Sequence, residues 1–210
     1  MKFFNALPAN YPKLLQLYFE LYQYALDKEL LIEHGHLSVD HFNNILNIAY
    51  ALGKKEWVIN FMDEYSKYLQ LGEEKEENVK RLFNAYLKFY DKEYRAAFII
   101  LDDLKMEDIT YGLRSYTLLI MTIIEGRKKI GFRYDFQQHC NNFKAYVGRK
   151  YKNGIISLSI KDGYLRFVNI AKKIHGWKYK SWDKEKLYEE IKRYKDIPQG
   201  QWLKDQINGL

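Results

Sequence analysis

The chain has little cysteine, little proline and no long apolar run, and each shortage removes a class of protein. One cysteine, Cys140, among 210 residues cannot close an internal disulfide or build a thiolate zinc site, which excludes a stapled secreted domain. Prolines stand only at 8, 12 and 198, so the long stretch between the last two lacks the strongest helix breaker. The longest apolar segment, Leu118 to Ile124, falls well below the ~18–20 residues that span a bilayer. Met1 to Pro8 holds one cation and no apolar stretch of signal-peptide length, so a cytoplasmic location is the expectation. Also missing are the P-loop string, the dinucleotide-binding Gly-x-Gly-x-x-Gly, the nucleophile elbow Gly-x-Ser-x-Gly and the zinc-protease His-Glu-x-x-His.

What is present is the composition of a folded globular chain, 47% hydrophobic and 29% charged. The formal charge of +7 is unevenly spread. Residues 1–70 carry a net of −2, residues 71–140 balance, and residues 141–210 carry +9. A uniformly basic coat or histone-like protein is thereby excluded.

Helical periodicity dominates. Ser38 precedes Phe42, Ile45, Leu46, Ala49 and Leu52, an apolar stripe whose ends are marked by a plausible N-cap and by Gly53 as the stop. A second helix is expected from about Lys55 to Leu69, with Trp57, Val58, Phe61, Met62, Tyr65 and Leu69 inward. Leu82, Phe83, Tyr86 and Phe89 form the next stripe, Asp91-Lys92-Glu93 a short connection, and Tyr94 to Leu104 another helix. Shifted by 37 residues, the first pair lays Ile45 on Leu82, Leu46 on Phe83, Asn47 on Asn84 and Trp57 on Tyr94. Helix pairs at this period are the mark of an α-solenoid. The acidic run Glu73, Glu74, Glu76 and Glu77 suits a helix N-terminus.

Upstream, Pro12 starts a helix expected to reach about Ile32. Downstream, Tyr111 to Ile124 is apolar nearly all round, as in a helix enclosed on several sides. Further helices are expected over about 133–151 and 157–174, then from Ser181 or Asp183 to Tyr194, and a last one from Pro198. Gly126 to Gly131 reads as a basic loop.

These residues resemble a family of uncharacterised bacterial proteins with degenerate tetratricopeptide-like repeats. The resemblance spans roughly residues 38–207 and rests on an ordered set of segments. They are Trp57 to Tyr65, Asn84-Ala85-Tyr86, Glu93-Tyr94-Arg95-Ala96-Ala97, Phe143 to Arg149, Tyr164 to Lys173 and Trp202-Leu203-Lys204. Ala85 and Ala97 suit the close helix contact of such repeats, whereas Leu46 and Val58 hold the equivalent places in the other unit. The resemblance implies a helical-repeat scaffold with no catalytic residue to carry over.

Two clusters could bear chemistry. His34-Gly35-His36 with Glu33, Asp40 and His41 has metal-ligand residue types, but imidazoles at i, i+2 across a glycine do not share a helical face. It reads as an inter-helix loop. His139 and Cys140 are adjacent, hence about 100° apart on a helix, and Cys140 lies on the apolar stripe as a small hydrophobe.

The basic aromatic region carries the remaining candidates. From Lys144 to Lys180 there are ten Lys or Arg and one acid, Asp162, with Trp177, Tyr179 and Trp182 interleaved. Cations for phosphates and aromatic faces for stacking suit nucleic acid. An excess of Lys over Arg, 26 to 8, suits an anionic protein or membrane surface or a merely solvated face. The binding candidates are Arg149, Lys150, Lys152, Arg166, Lys172, Lys173, Trp177, Lys178 and Lys180.

The expected fold is all-α, antiparallel helix pairs stacked as a short tetratricopeptide-like α-solenoid of about nine to ten helices. It is read as a single domain over 1–210, with best repeats at 38–70 and 73–105 and a basic helical part at 133–207. The expected function is a non-catalytic scaffold for protein or peptide partners, without metal or cofactor. The alternative is nucleic-acid or anionic-surface binding through the last third.

Overall fold

The computed structural model describes residues 12–70, 72–106, 108–127, 135–176, 183–194 and 196–210. Among these residues the chain is all-α, with ten α-helices and a single two-stranded hairpin. Helices adjacent in sequence pack against one another. The chain divides into two compact units, Met1–Leu87 and Lys88–Leu210, with the boundary inside the fourth helix.

The first unit contains α1 (Pro12–Asp27), α2 (Val39–Ala51), α3 (Lys55–Tyr65), a 3-10 helix (Ser66–Leu69) and most of α4 (Glu73–Tyr90). Helix α1 stops at Asp27, short of the expected Ile32, because the chain turns into an antiparallel hairpin. In it β1 (Ile32–Glu33) pairs with β2 (His36–Leu37), Ile32 facing Leu37. His34 and Gly35 at its tip both take positive φ, +51° and +76°, the pattern of a two-residue type I′ turn. The imidazole-rich loop is therefore a hairpin turn, fastened where the Gln70 side-chain amide donates to the Gly35 carbonyl at 3.0 Å.

Ser38 caps α2 as expected, its hydroxyl oxygen accepting from the His41 N–H at 3.1 Å. At the other end Gly53 takes φ +68°. The Gly53 and Lys54 N–H groups bond back to Tyr50 and Ala49, the paired bonds of a Schellman stop. Helix α4 closes identically around Lys92, φ +63°, with Lys92 bonded to Phe89 and Glu93 to Lys88. These stops lie 39 residues apart, not 37. The 37-residue register does hold for the preceding faces: Ile45, Leu46, Leu82 and Phe83 are all buried, and Asn47 and Asn84 both exposed. The later helix simply runs two residues further before stopping, so Lys55 rather than Trp57 matches Tyr94 at the start of the next helix.

Aromatic contacts fill this unit. Phe19 of α1 meets Trp57 edge-on, Trp57 stacks on Phe61, and Phe42 of α2 touches both Phe61 and Phe83, at centroid distances of 4.8 to 5.5 Å. Such pairs contribute about 0.5–1.5 kcal/mol each beyond burial of area. The expected helix to Leu69 breaks at Tyr65 and tightens into the 3-10 turn. The acidic run does open α4, where the Ser66 hydroxyl donates to Glu76 at 3.1 Å.

The second unit takes in the end of α4, then α5 (Tyr94–Asp102), α6 (Ile109–Arg127), α7 (Phe136–Lys152), α8 (Leu158–His175), α9 (Lys184–Arg193) and α10 (Gly200–Asn208). Asp135, Ser157 and Asp183 cap α7, α8 and α9 by accepting from the N–H three residues on. Of the two candidate caps for α9, Asp183 is therefore the cap. The last helix starts two residues beyond Pro198, after Gln199 in a left-handed conformation.

Helix α6 packs against α5, α7 and α8, and nearly all of it is buried, as its all-round apolarity predicts. Its buried threonine hydroxyls bond to its own backbone, Thr117 to the Leu113 carbonyl and Thr122 to that of Leu118, both at 2.7 Å. A ladder of rings, Tyr146 against Tyr116, Tyr116 stacked on Phe143 and Phe143 edge-on to Tyr164, joins α6, α7 and α8. Glu125 accepts from Trp202 Nε1 at 3.0 Å and Gln206 Nε2 at 2.5 Å, tying α10 to α6.

The tightest point is Gly112, where a Cβ would lie 2.1 Å from the Tyr146 hydroxyl. Gly112→Ala should therefore cost about 1–3 kcal/mol through overpacking. Tyr146→Phe removes the obstructing oxygen, which is itself buried without a hydrogen-bond partner, and should be neutral or stabilising alone. Chemical denaturation of the single and double variants checks both, the double variant recovering part of the Gly112→Ala loss.

Candidate basic surface

The last two turns of α7, the length of α8 and the α9 C-terminus bring together most of the described basic candidates, but not on one face. Lys172 of α8 and Lys144 of α7 meet across the α7–α8 contact. The Lys144 ammonium donates to the Asn169 side-chain oxygen at 2.6 Å, and that of Lys172 approaches the Asn141 oxygen at 3.4 Å. Burial, then the Lys172 charge, pushes the Lys144 pKa down. Neutral amide oxygens thus hold two like charges that no carboxylate among the described residues balances.

Lys173, one residue on, turns about 100° away and pairs with Glu190 of α9 at 3.2 Å. Arg166, two turns before it on the same side, lies flat on the Tyr194 ring with its guanidinium carbon 3.5 Å from the centroid. Arg193 stands 5.6 Å from the same ring. Arg166, Arg193 and Tyr194 line an open cleft of 410 Å³ together with Ser159, Asp162, Asp196 and Ile197. Its floor is a close approach of backbones, since a Cβ on Gly163 would lie 2.5 Å from the Asp196 carbonyl oxygen. Asp196 accepts from the Ser159 hydroxyl at 3.0 Å, and Asp162 sits 3.6 Å from the Lys161 ammonium. Two carboxylates and two guanidiniums share the cleft, so its own charges balance.

Arg149, Lys150 and Lys152 form a third group at the α7 C-terminus, where cations complement the helix dipole. Lys150 lies over the Tyr146 ring at 5.4 Å, while Arg149 and Lys152 are exposed. Trp177, Lys178 and Lys180 lie outside the described residues, as do Tyr179, Trp182 and most of the expected basic loop at 126–131. Sequence reasoning missed Asn141, Asn169, Arg193, Tyr194 and Asp196, all polar or aromatic surface types with no spacing signal. Only the approach of α7, α9, Tyr194 and residues 196–198 to α8 recruits them.

The adjacent His139 and Cys140 diverge. His139 faces α5, edge-on to Phe98 at 5.6 Å and 3.9 Å from Asp102. Cys140 is fully buried, and burial pushes its thiol up to about 12 despite the Lys172 and Lys144 charges. A thiolate nucleophile is not available there at neutral pH. Among the described residues no group of three His, Cys, Asp or Glu side chains could hold a metal ion.

The chain matches no family model, no curated protein and no solved structure. The residues themselves carry the functional reading.

His175 closes α8 at the edge of this surface. Its ring stacks on Phe136 at 4.0 Å, and the Arg127 guanidinium donates to its backbone carbonyl. Burial, reinforced by the Arg127 charge, lowers its pKa to about 4. The unfolded chain protonates this imidazole below about pH 6.5, whereas the folded chain does so only near pH 4. Stability from neutral His175 is thus complete above that range and is lost progressively as pH falls through it. Thermal melts across the range should show a shallower decline for His175→Phe, which keeps the stack and cannot titrate.

Proposed function

We propose that the protein is a non-catalytic, tetratricopeptide-like helical scaffold that binds a protein partner. The observation that carries this reading is the outer stripe of α1. Leu17, Leu21 and Tyr24, spaced i, i+4 and i+7, are 61%, 60% and 58% exposed. A row of large apolar side chains on one face leaves favourable burial unused, about 25 cal/mol per Å² covered, and such patches mark interaction sites. The recurring Schellman stops and the fully buried Ala85 and Ala97 support the repeat-like character.

A photo-crosslinking side chain placed at Leu21, with a control at the exposed Glu64, tests the reading in native lysate. Discrete protein adducts at position 21 alone are expected, and they should disappear with Leu17→Ser and Tyr24→Ser. No adduct at position 21, or the same adducts at both positions, rejects the stripe as a binding face.

A second reading, nucleic-acid binding through the basic third, is favoured by two cations held by amide oxygens rather than carboxylates, Lys144 and Lys172. Filter binding of single-stranded RNA against salt tests it. Each phosphate contact should contribute about 0.7 to the log–log slope. A flat profile, or no retention at low salt, removes it.

A further inference from the structure

The turn between α7 and α8 combines two properties that the α1 stripe lacks. Thirteen consecutive residues, Arg149 to Lys161, contain four cations and no acid. Within them nine of the ten residues 151–160 are exposed, Ile156 alone being buried. The exposed set includes Tyr151 at 37%, Ile155 at 48%, Leu158 at 52% and Ile160 at 44%. The projection is built in. Gly154 takes φ +69°, its N–H bonds to Tyr151 and that of Ile155 bonds to Lys150, so a Schellman stop reverses the chain. Ser157 then caps α8 and places Leu158 in its first turn. Ile156 anchors the turn inward while its neighbours point out. Across the base, Lys161 lies over the Tyr151 ring at 4.3 Å, fixing one end of α7 to the start of α8.

We infer that this turn is a peripheral docking tip for a bilayer surface rich in anionic lipid. Aliphatic side chains at the apex can enter the interfacial region, where a soft medium covers a convex surface that a rigid partner would have to enclose. Arg149, Lys150 and Lys152 precede the apolar run, and Lys161, paired with Asp162 at 3.6 Å, follows it. Long lysine stems can lie along the apolar layer while their ammonium groups stay among the headgroups. Among the described residues Arg149 and Lys152 form no ion pair with a carboxylate, which leaves their charge for lipid phosphates and carboxylates. Charge complementarity selects an anionic surface, and an apex of several exposed aliphatic side chains favours a bilayer, whose acyl boundary can cover all of them at once. The docking is reversible and peripheral: among the described residues no helix is long and apolar enough to cross a membrane.

Co-sedimentation of the full chain with vesicles tests this. The chain should be retained on phosphatidylcholine vesicles containing roughly a third phosphatidylserine, not on phosphatidylcholine alone, and the retention should weaken with salt. Arg149→Gln and Lys152→Gln should each lower partitioning about fivefold. Ile155→Ser with Leu158→Ser should lower it at least about tenfold, with helical content unchanged by circular dichroism because both sites are exposed. No retention on anionic vesicles at low salt overturns the proposal. So does retention that ignores the Ile155 and Leu158 changes, which would leave only unspecific charge attraction. Competition by a homopolymeric RNA that depends on the cations but not on those two residues would assign the surface to nucleic acid instead. None of these outcomes involves Leu17, Leu21 or Tyr24, so failure here is distinguishable from failure of the α1 reading.

Discussion

A helix without a polar face has to be enclosed, and the second unit is organised around that requirement. Helix α6 buries residues on every side from Tyr111 to Ile124, so α5, α7 and α8 must surround it. The approach to α7 is set by the absence of a side chain at Gly112 and the presence of a large one at Tyr146. Stacking of Tyr116 on Phe143, within 8° of parallel, holds that spacing along the contact. Glu125, near the C-terminal end of α6, supplies the carboxylate that two α10 side chains share, which brings the last helix back onto the unit.

The basic surface follows from that enclosure. Because α8 is held with Phe167, Val168, Ile170, Ala171 and Ile174 inward, its cations are divided between its remaining sides. Lys172 faces α7 and meets Lys144, while Arg166 and Lys173 face α9 and meet Tyr194 and Glu190. Neutralisation is therefore local and uneven. The α9 side holds Glu190, Asp162 and Asp196, whereas Arg149 and Lys152 at the α7–α8 turn pair with no carboxylate among the described residues. A surplus counted over the whole last third becomes, in three dimensions, three groups with different electrostatic roles.

Much of the helical plan was legible because its signals are local. Ser38, Gly53, Ser157 and Asp183 act through hydrogen bonds to residues within five positions, so the sequence displays both donor and acceptor. The hairpin at 32–37 is illegible in the sequence, although His-Gly is a competent turn pair, because two-residue strands leave no alternation to detect. The repeat register was half legible. Buried faces repeat at 37 residues by hydrophobicity, but the stop at Lys92 uses a left-handed lysine where glycine would have announced it. The candidate cations were legible as a charge excess, and their partners were not, since Asn141, Asn169 and Tyr194 come from other segments and carry no periodic signal.

The sequence alone determined the all-α class, the caps, the enclosed character of α6 and the confinement of excess charge to the last third. Each of these depends on composition or on neighbours along the chain. Tertiary structure decided which cations are paired, that His139 and Cys140 part company, and that Ile155, Leu158 and Ile160 remain outside while Ile156 goes in. The reason is physical. An apolar residue on a turn has no preferred face until the helices on either side have packed, and a charge has no partner until a second element arrives beside it.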